Sequence, residues 1–147
     1  MKTSEAGLAH VDDKTTDRHR VLLVDDEVAV VDAAAEYLAA YGFEVDTATE
    51  REEAEALLAT RQYDLLVVDL RLTGIHGREG FELVRHVREQ RPQCRVIVLT
   101  AHGSAEVERE ALRIGADVFL EKPLPLSDLL GAAARLLGPG PNPPWGR

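Results

Sequence analysis

Short unbroken apolar runs alternate in this chain with longer stretches of helical spacing. VLLV (21–24) has the length of a strand. From Glu27 to Tyr41, the apolar residues Val28, Val31, Ala35 and Leu38 recur three or four apart, which marks one face of a helix. Gly42 ends that helix with a residue free to take positive φ. FEVDT (43–47) alternates as a short strand, and Thr49 with Glu52 three residues on resembles a capping box for a helix reaching about Arg61. LLVVD (65–69) is a second buried strand, followed by a loop with glycines at 74, 77 and 80. A helix from about Gly80 stops before Pro92. VIVLT (96–100), a helix from Ser104 to Ile114 closed by Gly115, the strand DVFLE (117–121) and a last helix opened by Ser127 complete the series.

Five βα units whose runs are apolar on both faces predict an α/β fold, a doubly wound parallel sheet with helices on each side. Right-handed crossovers leave few topologies. The flavodoxin-like (βα)5 strand order 2-1-3-4-5 sets strands one and three side by side, with the switch point between them. Residues 1–19 are polar and lack apolar periodicity, which reads as a flexible arm. After Gly138, PGPNPPWGR cannot sustain a helix, because proline lacks the amide donor and fixes φ. Residues 20–138 are therefore the folded domain, and 139–147, with Trp145, a tail or linker.

Composition narrows the function. The 147 residues are 45% hydrophobic and carry a net charge of −9, enough for one core and unfavourable to phosphate backbones. Direct nucleic-acid binding is not expected. A single cysteine, Cys94, forms no internal disulfide, and no secretory segment follows MKTSE, so a cytoplasmic protein is expected. LLGAAARLLG is interrupted by Arg135 and too short to span a bilayer.

The informative chemistry lies where the strands end. Asp25 and Asp26 follow VLLV, Asp69 ends LLVVD, Thr100 ends VIVLT, and Lys122 follows DVFLE. Ligands of open α/β sheets bind at that carboxyl edge. Acidic residues after a strand also suit a helix N-terminus, which is the plainer reading of Asp25-Asp26-Glu27 alone. Asp69 changes the balance: carboxylates about 4 Å apart repel by roughly 4 kcal/mol at an effective dielectric near 20. A cation offsets such crowding, and an oxygen-only, partly open set suits Mg²⁺, with Mn²⁺ as a substitute. A carboxylate only partly engaged by metal can act as a nucleophile toward phosphorus. Residues 21–137 hold eleven arginines but only one lysine, Lys122. A compact ammonium enters a carboxylate site more readily than a guanidinium. Ala101 leaves room for a group beside Thr100, and Pro123 permits a cis peptide at a cost of about 0.5–1 kcal/mol.

These residues resemble the receiver domain of two-component response regulators over about residues 20–138. The family pattern is an acidic pair after strand one, a phosphorylated aspartate after strand three, Thr or Ser after strand four and Lys-Pro after strand five. Here it is met by Asp25-Asp26, Asp69, Thr100 and Lys122-Pro123. The resemblance implies that Asp69 takes a phosphoryl group from a sensor histidine kinase or a histidine phosphotransfer protein. Asp26, Asp69 and the backbone carbonyl of Arg71 would bind Mg²⁺, and Asp25 would reach it through water. Thr100, Ala101 and Lys122 would surround the phosphoryl group. Thr100 and Phe119 would form the switch, signalling to a downstream protein through the fourth helix, fifth strand and fifth helix, the face through which such domains form homodimers. The activity implied is self-phosphorylation and self-dephosphorylation rather than turnover of a substrate.

The chain departs from the family in one region. Leu72-Thr73 replaces the usual Met-Pro, and the loop GIHGREGFEL is about three residues longer. His76 in that loop has no partner at metal-binding spacing. Arg71 and His102, two positions beyond Asp69 and Thr100, flank the path of attacking water and are expected to slow hydrolysis. A haloacid-dehalogenase-type phosphatase would place its nucleophile after strand one, with an acid two residues on. A flavodoxin would need a hydroxyl-rich phosphate loop there. The remaining alternative is a non-phosphorylated pseudo-receiver that acts only as a docking module.

Overall fold

The computed structural model describes residues 18–70 and 79–138. Strands and helices alternate as β1 (Arg20–Val24), α1 (Val28–Ala40), β2 (Glu44–Ala48), α2 (Arg51–Thr60), β3 (Leu65–Asp69), α3 (Glu79–Gln90), β4 (Arg95–Thr100), α4 (Ala105–Arg113), β5 (Val118–Glu121) and α5 (Leu126–Leu137). All strand pairings are parallel, and the sheet order is β2-β1-β3-β4-β5. This is the doubly wound topology that the apolar runs predict.

Strand periodicity of two divides the core between the faces of the sheet. Val21, Leu23, Leu65, Val67, Ile97 and Leu99 pack against α1 and α5 through Leu38 and Leu129. Their neighbours Leu22, Val24, Leu66, Val68, Val96 and Val98 pack on the other side, against Leu58 of α2, Val84 of α3 and Ala111 of α4. β1 and β3 are buried at every position, as central strands covered on both faces must be. The edge strands β2 and β5 are only half-buried over most of their length, so burial on both faces belongs to the interior of the sheet.

Helix ends show where local sequence signals hold and where they shift. Ser104 caps α4, its Oγ accepting from the Val107 N–H at 3.1 Å, and Gly115 follows with φ +124°. The box at Thr49 is displaced: α2 starts at Arg51, so the carboxylate that reaches back is that of Glu53, which accepts from the Thr49 N–H at 2.9 Å. α5 starts one residue before Ser127, with Pro125 in the extended cap position and its carbonyl accepting from the Asp128 N–H at 2.9 Å. Val28 shares the spacing of the buried face of α1 but is 57% exposed, because the first turn begins at the edge where the sheet ends.

Candidate functional site

Register brings the strand ends together. Val24 pairs with Val68, so Asp25 and Asp69, the next residues along, leave the sheet side by side. Backbone bonds carry this order one step past the strands. The Asp25 N–H donates to the Ala48 carbonyl at 3.1 Å, the Leu70 N–H to Leu99 at 3.1 Å, and the Lys122 N–H to Thr100 at 2.8 Å. Asp25, Asp69 and Lys122 therefore stand on peptides held by the neighbouring strand, which is how a rigid sheet positions a site.

The side chains converge tightly. Asp25, Asp69 and Thr100 are buried, whereas Asp26 is exposed at the mouth. Lys122 Nζ donates to Asp25 Oδ2 at 2.6 Å and Asp69 Oδ2 at 2.9 Å, and Glu27 Oε1 lies 3.6 Å from it. Asp25 Oδ1 accepts from the Glu27 N–H at 3.0 Å, so both oxygens of this buried carboxylate are bonded. Thr100 Oγ1 accepts from the His102 N–H at 3.2 Å, which leaves its own O–H able to donate. The Lys122–Pro123 peptide is cis.

Electrostatics follow from that crowding. Burial pulls the Lys122 ammonium down, but its bonds to Asp25 and Asp69 and their charges outweigh this and raise its pKa, so it stays protonated. Asp26 is raised above its usual value by desolvation first, then by repulsion from Asp25, Asp69 and Glu27. Ligand oxygens of Asp25, Asp26 and Asp69 lie within 4.8 Å of one another, close enough to share one cation directly or through one of its waters. The carboxylates of Asp25, Asp26 and Asp69 outnumber the one Lys122 ammonium, and Glu27 adds a further negative charge at the rim, an excess that a divalent cation would reduce. The donor set is all oxygen and opens to solvent at Asp26, which fits Mg²⁺.

The structure thus gathers Asp25, Asp26, Asp69, Thr100 and Lys122, with Ala101 and His102 exposed on the adjoining loop. Phe119 is half-buried against the α2–α3–α4 side of the core, paired in register with Val98. Arg71 and His76 lie outside the described residues. Two neighbours were not singled out from sequence. Glu27 was read as a helix-start acid, yet as the N-cap of α1 it makes no side-chain capping bond and faces Lys122 instead. Gly80 was read only as the start of α3; it packs backbone to backbone on Leu70.

Comparison with known proteins agrees with this geometry. The family model for the response regulator receiver domain matches residues 21–134. The alginate biosynthesis transcriptional regulatory protein AlgB of Pseudomonas aeruginosa is 38% identical over 119 residues, covering 80% of this chain, which spans only 26% of AlgB. The crystal structure of a CheY-like response regulator receiver domain protein from Methanospirillum hungatei is 30% identical with a TM-score of 0.75, covering 80% of this chain and 92% of that one. A response regulator from Burkholderia pseudomallei, solved with a phosphorylated aspartic acid and a calcium ion, is 28% identical with a TM-score of 0.72, covering 78% and 65%.

Proposed function

The chain belongs to the response regulator receiver domain family, and from that membership we propose that Asp69 accepts a phosphoryl group and switches a protein-binding surface. One observation carries the reading: the Lys122 ammonium bridges Asp25 and Asp69 beside the exposed Asp26. An Asp69 carboxylate oxygen attacks phosphorus and the bond from phosphorus to the donor's histidine nitrogen breaks; that nitrogen keeps the electron pair, and the ring, protonated beforehand on its other nitrogen, leaves as neutral imidazole. Asp26 and Asp69 would hold Mg²⁺, with the Arg71 backbone carbonyl as the further ligand that the family resemblance implies and Asp25 acting through water. When bound, that ion offsets negative charge on the transferred group. Lys122 moves from carboxylate to phosphoryl oxygen, and the Thr100 hydroxyl donates to a second oxygen, with Ala101 leaving space. Positioning and charge supply the catalysis.

Thr100 moving toward the phosphoryl group vacates volume that Phe119 turns into, and this repacking changes the face formed by α4, β5 and α5. The donor is a sensor histidine kinase or a histidine phosphotransfer protein in the cytoplasm. The recipient is a protein, either a downstream partner or a second copy docking on that face. The net charge of −9 disfavours direct contact with nucleic acid. Arg71, outside the described residues, and the exposed His102 are the two side chains assigned to slowing loss of the phosphoryl group. Phosphorylated Arg71→Ala and His102→Ala should decay faster than the parent, and unchanged decay in both would remove that role. Incubation with acetyl phosphate separates the phosphoacceptor from a docking module that is never phosphorylated. Intact mass should rise by one phosphoryl group with Mg²⁺ and stay unchanged with a chelator.

A further inference from the structure

The glycine at the start of α3 meets the site through main chain alone. A Cβ built on Gly80 would lie 2.4 Å from Leu70 Cα and 2.7 Å from the carbonyl oxygens of both Asp69 and Leu70. These are backbone atoms, so no rotamer change could relieve the clash. The Gly80 N–H also donates to the Leu70 carbonyl at 3.2 Å, while the Leu70 N–H is held by Leu99 at 3.1 Å. The peptide that leaves Asp69 is thus clasped between β4 and the first turn of α3. Leu70, and Phe81 next to Gly80 in the chain, are both buried. Gly131 in α5 is the contrasting case: a Cβ there would meet only Arg135 Nη1, at 3.5 Å.

We infer that Gly80 is a positioning residue for Asp69, its missing side chain letting α3 close on the Asp69–Leu70 backbone and fix the peptide that follows the carboxylate. The inference rests on Asp69 being the phosphoacceptor and a metal ligand. It also explains how a loop longer than the family's usual one can leave the site intact. The clasp joins residues on either side of that loop, so loop length is separated from the placement of Asp69.

The test is Mg²⁺ binding by calorimetry, at a temperature where circular dichroism shows the protein fully folded, together with the rate of labelling by acetyl phosphate. Gly80→Ala should bind Mg²⁺ at least tenfold more weakly and label at least tenfold more slowly, while Gly131→Ala matches the parent. A role confined to stability would lower Tm and leave the Mg²⁺ Kd unmoved. Because the clash is with main chain, adding Leu70→Ala to Gly80→Ala should restore neither property, whereas recovery would overturn the inference. Parent-like Mg²⁺ affinity and labelling in Gly80→Ala would overturn it as well. Should Gly80→Ala not fold, the parent decides by NMR: the Gly80 amide should shift with the same Mg²⁺ midpoint as the Leu70 amide, and an unmoved Gly80 amide counts against the clasp. A parent that neither binds Mg²⁺ nor becomes labelled would instead defeat the phosphoacceptor reading beneath it.

Discussion

Lys122 is the counter-ion of two carboxylates that the fold has taken out of water. Its ammonium lies 2.6 Å from Asp25 and 2.9 Å from Asp69, both buried. Removing one member of such a group leaves uncompensated charge. Lys122→Ala should therefore destabilise the metal-free protein by roughly 2 kcal/mol, less than for a sealed pair because the mouth admits water. Urea unfolding measures this, and Mg²⁺ should recover part of the loss. Asp26 has the opposite character. Desolvation and its acidic neighbours raise its pKa above 3.8, so the folded chain holds that proton more tightly than the unfolded one. The associated stability is full below the ordinary carboxylate pKa and is lost as pH rises through the raised value. Asp26→Asn should then stabilise the metal-free protein at neutral pH, by about 0.5 kcal/mol for so exposed a charge, and abolish the rise in Tm with Mg²⁺. A variant whose Tm still climbs with Mg²⁺ as the parent's does would remove Asp26 from the ligand set. These residues were legible because each ends an apolar run. Glu27 was not, since an acid at a helix start has a sufficient explanation in the dipole.

Helices and strands were legible to within about a residue or two where one local signal dominated. Ser104 and Gly115 bound α4 because cap chemistry and positive φ are local properties. Ser104→Ala should cost about 1 kcal/mol, seen as a lower urea midpoint, since a nine-residue helix has few other bonds to hold its first turn. α2 and α5 do not start where Thr49 and Ser127 suggest: their cap positions are Glu50 and Pro125, neither with a side-chain capping bond. The choice depended on how the helix meets the sheet, which no neighbouring residue encodes. Gly131 sits within α5, where an added Cβ would make one ordinary contact, with Arg135 Nη1 at 3.5 Å. Gly131→Ala should stabilise the protein by about 0.5–1 kcal/mol, checked by thermal denaturation. Gly80 escaped notice for the opposite reason: its constraint is a tertiary contact with Leu70, and it stands among loop glycines that look alike in sequence.

Handedness and five βα units left few strand orders, the flavodoxin-like one among them, and the site follows from that order. Once β1 and β3 are neighbours, Asp25 and Asp26 must stand beside Asp69, and β4 and β5 add Thr100 and Lys122 along the same edge. What sequence withheld is the arrangement of the charges: that Lys122 lies between Asp25 and Asp69, and that of the three clustered aspartates Asp26 is the exposed one. Cys94, buried with its thiol pushed up to about 12 by burial, takes no part in this chemistry. Among the described residues no helix is long and apolar enough to cross a membrane. The account stands on Asp69 being the atom source for the new bond to phosphorus. Mass mapping of the parent and Asp69→Asn after treatment with acetyl phosphate and Mg²⁺ tests it most directly. The parent should carry one phosphoryl group on the peptide containing Asp69 and the variant none, while an Asp69→Asn protein labelled to the same extent would contradict it.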